Sequence, residues 1–294
     1  MNAKSLTITF LTKASYTSLN GSDKEADNIV SIKKIQKNDG KEYPYCSSQA
    51  VRRALREQLA VMGWELSETC EAKQKKGAAS TQCDPQKFID DDLFGFMQAD
   101  TETVKRTSAV RVSPLVSLDP YIGDMDFGTN YMSVKTGGTP NIFETEIHSG
   151  YYVGTLLIEL DRVGEKSPGD KYDLKLDNME KAKRVCALCD AVQNLWTVGR
   201  QSRFLTDISP KLACAALMKV KNPIFLESLK LDDKQRCVDV ELIKNTINDF
   251  SNQIVYFSLG QRKGFFSQDN PEFVSLAECF EQVKKWVNEV YNVF

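Results

Sequence analysis

The sequence contains one histidine in 294 residues, His148. That excludes metal centres built on several histidines, and it leaves any Cys–His catalytic pair depending on a single imidazole. His148 lies in the stretch HSGYY and reads as structural. No run of about 18 apolar residues occurs, so no membrane span is expected. The opening MNAKSLTITFLTKASY lacks the apolar stretch of a secretory signal, and a cytoplasmic location is expected by default. There is no P-loop, no GxSxG and no dinucleotide-binding glycine fingerprint. Nor is there a large excess of one charge: 38 Lys and Arg stand against 40 Asp and Glu, a net −2. Bulk charge therefore argues against a nucleic-acid binder, although a basic stripe on one face would suffice to neutralise phosphates. Internal repeats and low-complexity tracts are also missing.

An apolar fraction of 41% is enough for a real core, and the length fits one elaborated domain or two small ones. The eight cysteines are Cys46, Cys70, Cys83, Cys186, Cys189, Cys214, Cys237 and Cys279. In a chain of this size without an export signal they read as free thiols, mostly buried as small hydrophobes. Cys186 and Cys189 have metal-ligand spacing, but they sit mid-helix without a second pair, so core packing outranks zinc. No metal and no cofactor are expected.

Residues 5–11 (SLTITFL) alternate and are rich in β-branched types, which predicts a strand. A polar loop with an Asn20-Gly21 turn signal follows. In SSQAVRRALREQLAVMGW, Val51, Ala54, Leu55, Gln58, Leu59 and Met62 fall at helical spacing, with Ser47 or Ser48 as the cap. Residues 67–87 read as an insertion and 104–118 as a strand, with Pro114 marking a bulge or an edge. Residues 119–150 have no helical period and are too long for an ordinary loop, so a long functional loop or protruding hairpin is expected. Residues 151–162 read as a buried strand. A second long helix is predicted over 178–198, with Met179, Ala182, Val185, Leu188, Val192 and Leu195 on one face and Gly199 ending it. Residues 211–220 lean to strand. The order strand, helix, strand, strand, helix, strand is the ferredoxin-like βαββαβ unit, an α+β class. Residues 222–294 add one or two helices, a strand-like piece at 254–259 and a helical end.

Three basic clusters fall within that unit. Gln49, Arg52, Arg53 and Arg56 lie opposite the apolar stripe of the first helix, whose N-terminus offers free N–H groups and positive dipole. Lys105, Arg106 and Arg111 lie on the predicted second strand. Gly199, Arg200, Gln201, Ser202 and Arg203 form a loop straight after the second helix, where backbone N–H groups and hydroxyls can approach a phosphate chain. Each alone is equally a solvated face; together they could line one surface. Acids of the first loop, Asp23, Glu25 and Asp27, could bind a metal, and a solvated loop is at least as good a reading.

The segments LTITFLTKASYTSLNG, CSSQAVRRALRE, DDLFGFM, KRTSAVRVSPLVSL and GRQSRF resemble the DevR-like (Cas-seven, Cst-type) backbone subunits of type I-B CRISPR systems, within the RAMP superfamily. The resemblance covers roughly residues 5–220. It implies a modified RNA-recognition-motif (RRM-like) core carrying finger-like (about 65–103) and thumb-like (119–150) insertions, with 222–294 as a helical extension packed on it. It also implies a non-catalytic protein whose copies stack along crRNA, the CRISPR guide RNA, as the backbone of a Cascade complex, with target DNA paired through the guide. Carried over, the RNA-facing residues are Asn20, Ser47, Ser48, Gln49, Arg52, Arg53, Lys105, Arg106, Thr107, Arg200, Gln201, Ser202 and Arg203, with Arg56 and Arg111 added from charge clustering. Met125, Phe127, Tyr131 and Met132 are thumb candidates for wedging between bases. The aromatic signature of an ordinary RNA-recognition motif is missing, which favours phosphate gripping over sheet-face stacking. The rival readings are a metal-dependent RNA endonuclease using Asp23 or Asp27, and a transcription regulator, for which no helix-turn-helix is evident.

Overall fold

The computed structural model describes residues 3–26, 28–69, 80–99, 103–139, 141–196, 199–232 and 237–293. Strand β1 (Ser5–Thr17) is followed by β2 (Gly21–Ala26), β3 (Ile29–Ile32), β4 (Lys34–Gln36), β5 (Glu42–Cys46) and helix α1 (Ser48–Val61). Helix α2 (Ile89–Phe94) leads into a separate hairpin of β6 (Phe96–Ala99) and β7 (Thr103–Arg106). Short strands β8 (Val110–Val112) and β9 (Leu115–Ser117) come next, then β10 (Asp124–Asn130), the single turn α3 (Met132–Lys135) and the long strand β11 (Asn141–Glu159). Helix α4 (Asn178–Gln193), β12 (Leu212–Met218), α5 (Val240–Asp249), β13 (Ile254–Gln261), β14 (Val274–Ser275) and α6 (Leu276–Tyr291) complete the order.

β1 is central. It runs antiparallel to both β11 and β12, with Ser5 opposite Glu159 on one side and Met218 on the other. β8 and β9 pair with the far edge of β11. The sheet order β12, β1, β11, β8/β9, with α1 after β1 and α4 after β11, places the first and second core strands on either side of the third, a split βαβ arrangement. The α+β class expected from the sequence is the one observed.

Several boundaries differ from the expectation, each for a local reason. Segment 104–118 is three strands. Residues 104–106 belong to the β6–β7 hairpin outside the main sheet, and the Ser113-Pro114 break separates β8 from β9, since proline cannot donate to a ladder. Segment 119–150 is largely a hairpin, in which β10 pairs with the first part of β11 from Asp124–Ile147 to Asn130–Asn141. β11 then runs on without interruption into the core, so the projection is an outgrowth of a central strand. Helix α4 stops at Gln193, and Met179 in its first turn is 68% exposed, not on the packed face. Residues 222–294 contribute strand as well as helix: β13 extends the sheet antiparallel to β12, and β14 pairs parallel to β13.

The helix face of the sheet is one core. Leu6, Ile8 and Phe10 of β1 meet Leu55 and Leu59 of α1, Leu188 and Val192 of α4, and Phe280, Val283 and Val287 of α6. On the opposite face, Leu11, Cys214 and Met218 lie under Phe225, Ile243 and Phe266. β12 is therefore covered on both faces, and all seven of its residues are buried. Its sequence LACAALM shows no alternation for that reason.

Three consecutive aspartates at the start of α2 are buried. Asp90 accepts from Arg56 at 3.3 Å and from the Ser67 N–H at 3.0 Å. Asp91 accepts from the Asp84 N–H at 2.9 Å. Asp92 pairs with Arg106 and with Arg184 of α4, and takes the Gly164 N–H at 3.1 Å. Gly95 has φ +69°, and a Cβ there would lie 2.3 Å from the Arg106 carbonyl oxygen. The segment DDLFGFM is thus held by charge pairs to Arg106 and to Arg184 of α4 and by the close backbone approach at Gly95.

Candidate nucleic-acid interface

Helix α1 begins at a built junction. The Ser47 hydroxyl accepts the Ala50 N–H at 3.4 Å, and the Ser47 N–H donates to the Asn20 side-chain oxygen at 2.9 Å. Asn20 therefore ties the turn after β1 to the helix N-terminus. Gly199, φ +85°, brings the loop after α4 onto the same turn: a Cβ on it would stand 2.9 Å from both the Leu19 Cα and the Ser18 oxygen. Only a residue without a side chain fits there. The three segments enclose a cleft of about 390 Å³ lined by Asn20, Gly21, Arg53, Gly199 and Arg200 among others. Segments far apart in sequence, each singled out for its cations or its turn, thus meet at one place.

The cations divide into free and committed ones. Arg53 is exposed and holds only Glu57 one turn on, a weak surface pair. Arg200 is exposed, with a long 3.4 Å contact to the Thr145 hydroxyl. Arg52 is half-buried, and its Nε is buried without a partner among the described residues. Burial, then the nearby charges of Arg56 and Arg111, pull its guanidinium below the ordinary arginine range. An uncompensated, partly desolvated cation is costly in a free protein and is satisfied by an anion. Gln49 is exposed and accepts from the Ser48 hydroxyl at 3.3 Å.

Other expected contacts are committed elsewhere. Arg106 is the clear correction. It is buried, it pairs with Asp92, and it donates to the carbonyls of Asp92, Glu165 and Arg162, which leaves it off any binding surface. Its neighbours Lys105 and Thr107 are exposed. Arg56 turns from α1 toward Asp90 and the Phe94 ring. Arg111 is half-exposed and holds Glu159 at 2.8 Å. Arg203 pairs with Asp126 and stacks over the Phe143 ring, so it braces the hairpin against the loop. Gly128 leaves room for that brace, since a Cβ there would meet Phe143 at 2.5 Å. Gln201 donates to the Trp196 carbonyl and accepts the Thr206 N–H at 3.0 Å, while Ser202 is exposed.

On the hairpin, Met125 and Phe127 share one face opposite Glu146 and Glu144, 40% and 60% exposed, and Tyr131 at the tip is exposed as well. The Met132 side chain lies outside the described residues, as do Asp27 and the side chains of Asp23 and Glu25. Sequence reasoning missed Trp196 and Leu205, exposed apolar side chains that flank the basic loop. A tryptophan three residues ahead of GRQSR was the available signal.

His148 is buried. Its Nε2 lies 3.3 Å from the Ser117 hydroxyl and its ring meets Tyr152 edge-on. Burial lowers its pKa against the opposing charge of Asp119. Ser117 is itself fully buried and donates to the Asp119 carbonyl, so its hydroxyl is core packing, while Asp119 and His148 line a cavity at the foot of the hairpin. Among the described residues no helix is long and apolar enough to cross a membrane.

Comparison with known proteins gives the family and the fold. A "CRISPR-associated protein Cas7/Cst2/DevR" of Myxococcus xanthus (strain DK1622) is 29% identical over 235 residues, 73% of this chain and 72% of that protein. Two solved chains, titled "CRISPR RNA-guided surveillance complex, pre-nicking" and "CRISPR RNA-guided surveillance complex", share the fold over 96% of this chain and 100% and 99% of theirs. Their TM-scores are 0.65 and 0.62 at 14% and 15% identity. The profile of the CRISPR-associated negative auto-regulator DevR/Csa2 family matches residues 8–236, and the chain belongs to that family.

Proposed function

We propose that the protein is a non-catalytic RNA-binding subunit of a type I-B Cascade complex in the cytoplasm. Its copies stack along crRNA and present the guide for pairing with a target DNA strand. The observation that carries this reading is the convergence of the Asn20 turn, the first turns of α1 and Gly199–Arg200 in one cleft. The helix N-terminus supplies N–H groups and a positive dipole, Arg53 and Arg200 supply exposed cations, and Arg52 supplies a charge that lacks a counter-charge. These are phosphate contacts. They carry no base information, which suits a backbone that must accept guides of unrelated sequence. Gln49, Ser48 and Lys105 extend the surface. The exposed apolar side of the β10–β11 hairpin is the part that reaches a neighbouring copy or its RNA. The fold shared with surveillance-complex chains and the Cas7/Cst2/DevR relative support the same assembly.

The test is purification with the partner subunits followed by extraction of nucleic acid. A short RNA of uniform length is the expected result. Recovery of a protein that binds a specific DNA duplex and no RNA would end the proposal in favour of a regulator.

A further inference from the structure

One side chain, Arg203, joins the basic loop to the hairpin across two rungs of β10 and β11. On the first rung Asp126 faces Thr145. Arg203 pairs with the Asp126 carboxylate there and donates to the Thr145 hydroxyl at 3.2 Å. On the second rung Gly128 faces Phe143. The guanidinium lies 4.5 Å from the centre of the Phe143 ring, in space that a Cβ on Gly128 would invade. Arg200 reaches the same Thr145 hydroxyl, at 3.4 Å. Two guanidinium groups thus converge on one uncharged oxygen, and Asp126 pairs with only one of them; among the described residues no carboxylate pairs with Arg200. The Arg203–Asp126 pair is partly open to water, with side-chain exposures of 27% and 28%, and open pairs are weak. Arg200 also lines the cleft at the α1 N-terminus, so an anion held by Arg200 in that cleft lies beside Arg203.

We propose that Asp126 stands in for a phosphate on Arg203 in the RNA-free subunit, and that the guide strand displaces it and unties the hairpin from the loop. The inference rests on the RNA-binding reading above. The exchange is chemically matched, because a carboxylate and a phosphate each offer paired oxygens to the guanidinium fork. It is also driven by charge. A phosphate approaching Arg200 meets the attraction of two guanidinium groups and the repulsion of one carboxylate, so the two anions compete for one place. The neutral partners, the Thr145 hydroxyl and the Phe143 ring, can hold the guanidinium while its anion changes. Asp126 is thus an internal competitor for the guide. A subunit without RNA keeps its hairpin tied to its own loop, and a loaded one presents it to the next copy.

The experiment uses the full-length protein and a single-stranded RNA of mixed sequence, with affinity measured across salt concentrations. Asp126→Asn keeps the side-chain volume and removes the charge. It is expected to bind about two- to fivefold more tightly at low salt, the weight of an open ion pair. Arg203→Met is expected to bind more weakly and to lose about 0.7 from the salt slope, the share of one phosphate contact. Adding Asp126→Asn to Arg203→Met is expected to change nothing further, since the competitor then has no site to block. Displacement is read directly in Arg203→Lys, where a carbodiimide can couple the amine at position 203 to Asp126. Peptide mapping is expected to find that cross-link without RNA and to lose it at saturating RNA. Unchanged or weaker binding by Asp126→Asn, an unchanged salt slope in Arg203→Met, or a cross-link that is absent without RNA or persists with it overturns the inference. The RNA-binding reading survives each of those results. A parent without salt-dependent RNA binding removes the reading and the inference together.

Discussion

Two arginines that look alike in the sequence have opposite surroundings, and their substitution separates binding from folding. Arg52 has a buried Nε without a partner and no carboxylate to neutralise it. Arg52→Met is expected to leave Tm unchanged or raised, while RNA affinity falls and the salt slope drops by about 0.7, the share of one phosphate contact on a single strand. An equal slope in parent and variant would remove Arg52 from the grip. Arg106 is the reverse case. Its side chain is fully buried against Asp92, and Arg106→Met leaves that acid with Arg184 as its remaining cation and takes the donor from three carbonyls, so a loss of about 3 kcal/mol in denaturant unfolding is expected. The single histidine gives a third test. Burial depresses the His148 pKa, so the unfolded chain binds a proton near the ordinary value of about 6.5 that the folded chain refuses. Stability is then present above that pH and is lost as pH falls below it. Tm should drop from pH 7 to pH 5, and His148→Gln should shrink the drop. Buried Asp91, whose pKa is raised by burial, works in the opposite direction over its own titration.

Among the elements, the junction of the β1 turn with the loop after α4 is the most restrictive. Gly199→Ala adds a Cβ at 2.9 Å from the backbone of Ser18 and Leu19 at positive φ. It is expected to cost about 1–2 kcal/mol and to weaken RNA binding with secondary structure intact by circular dichroism. Normal affinity in that variant would show that the loop need not dock to work. How far such elements were legible follows from their surroundings. α1 and α4 bury one face each, so their period is written in the residues. β12 buries both faces and β11 changes from exposed hairpin to core strand midway, so neither has one pattern to read. The cleft residues were legible as charge types and turn residues. Whether a cation is free was not, because the partners of Arg106 and Arg203 come from other elements: Asp92 from α2 and Asp126 from β10. DDLFGFM and the KRTSAVRVSPL that follows it are joined by charge, since Asp92 of the first pairs with Arg106 of the second.

For the whole molecule, a hairpin with Met125, Phe127 and Tyr131 exposed predicts, on the proposed reading, assembly that depends on a template. Size-exclusion chromatography with light scattering is expected to show elongated multimers with RNA and smaller species without it. One compact dimer in both conditions would contradict stacking. The centrality of β1 reaches beyond the finished fold. Its neighbours in the sheet are β11 and β12, so Ser5 waits for Glu159 and then for Met218 before either edge is paired. The helix face waits longer, because Phe280, Val283 and Val287 of α6 fill the same core as Leu6 and Phe10. During synthesis the growing polypeptide therefore presents a long, unpaired strand from its first seconds on the ribosome. A message truncated before α6 yields a chain whose helix-face core lacks Phe280, Val283 and Val287 and leaves Leu6 and Phe10 incompletely covered.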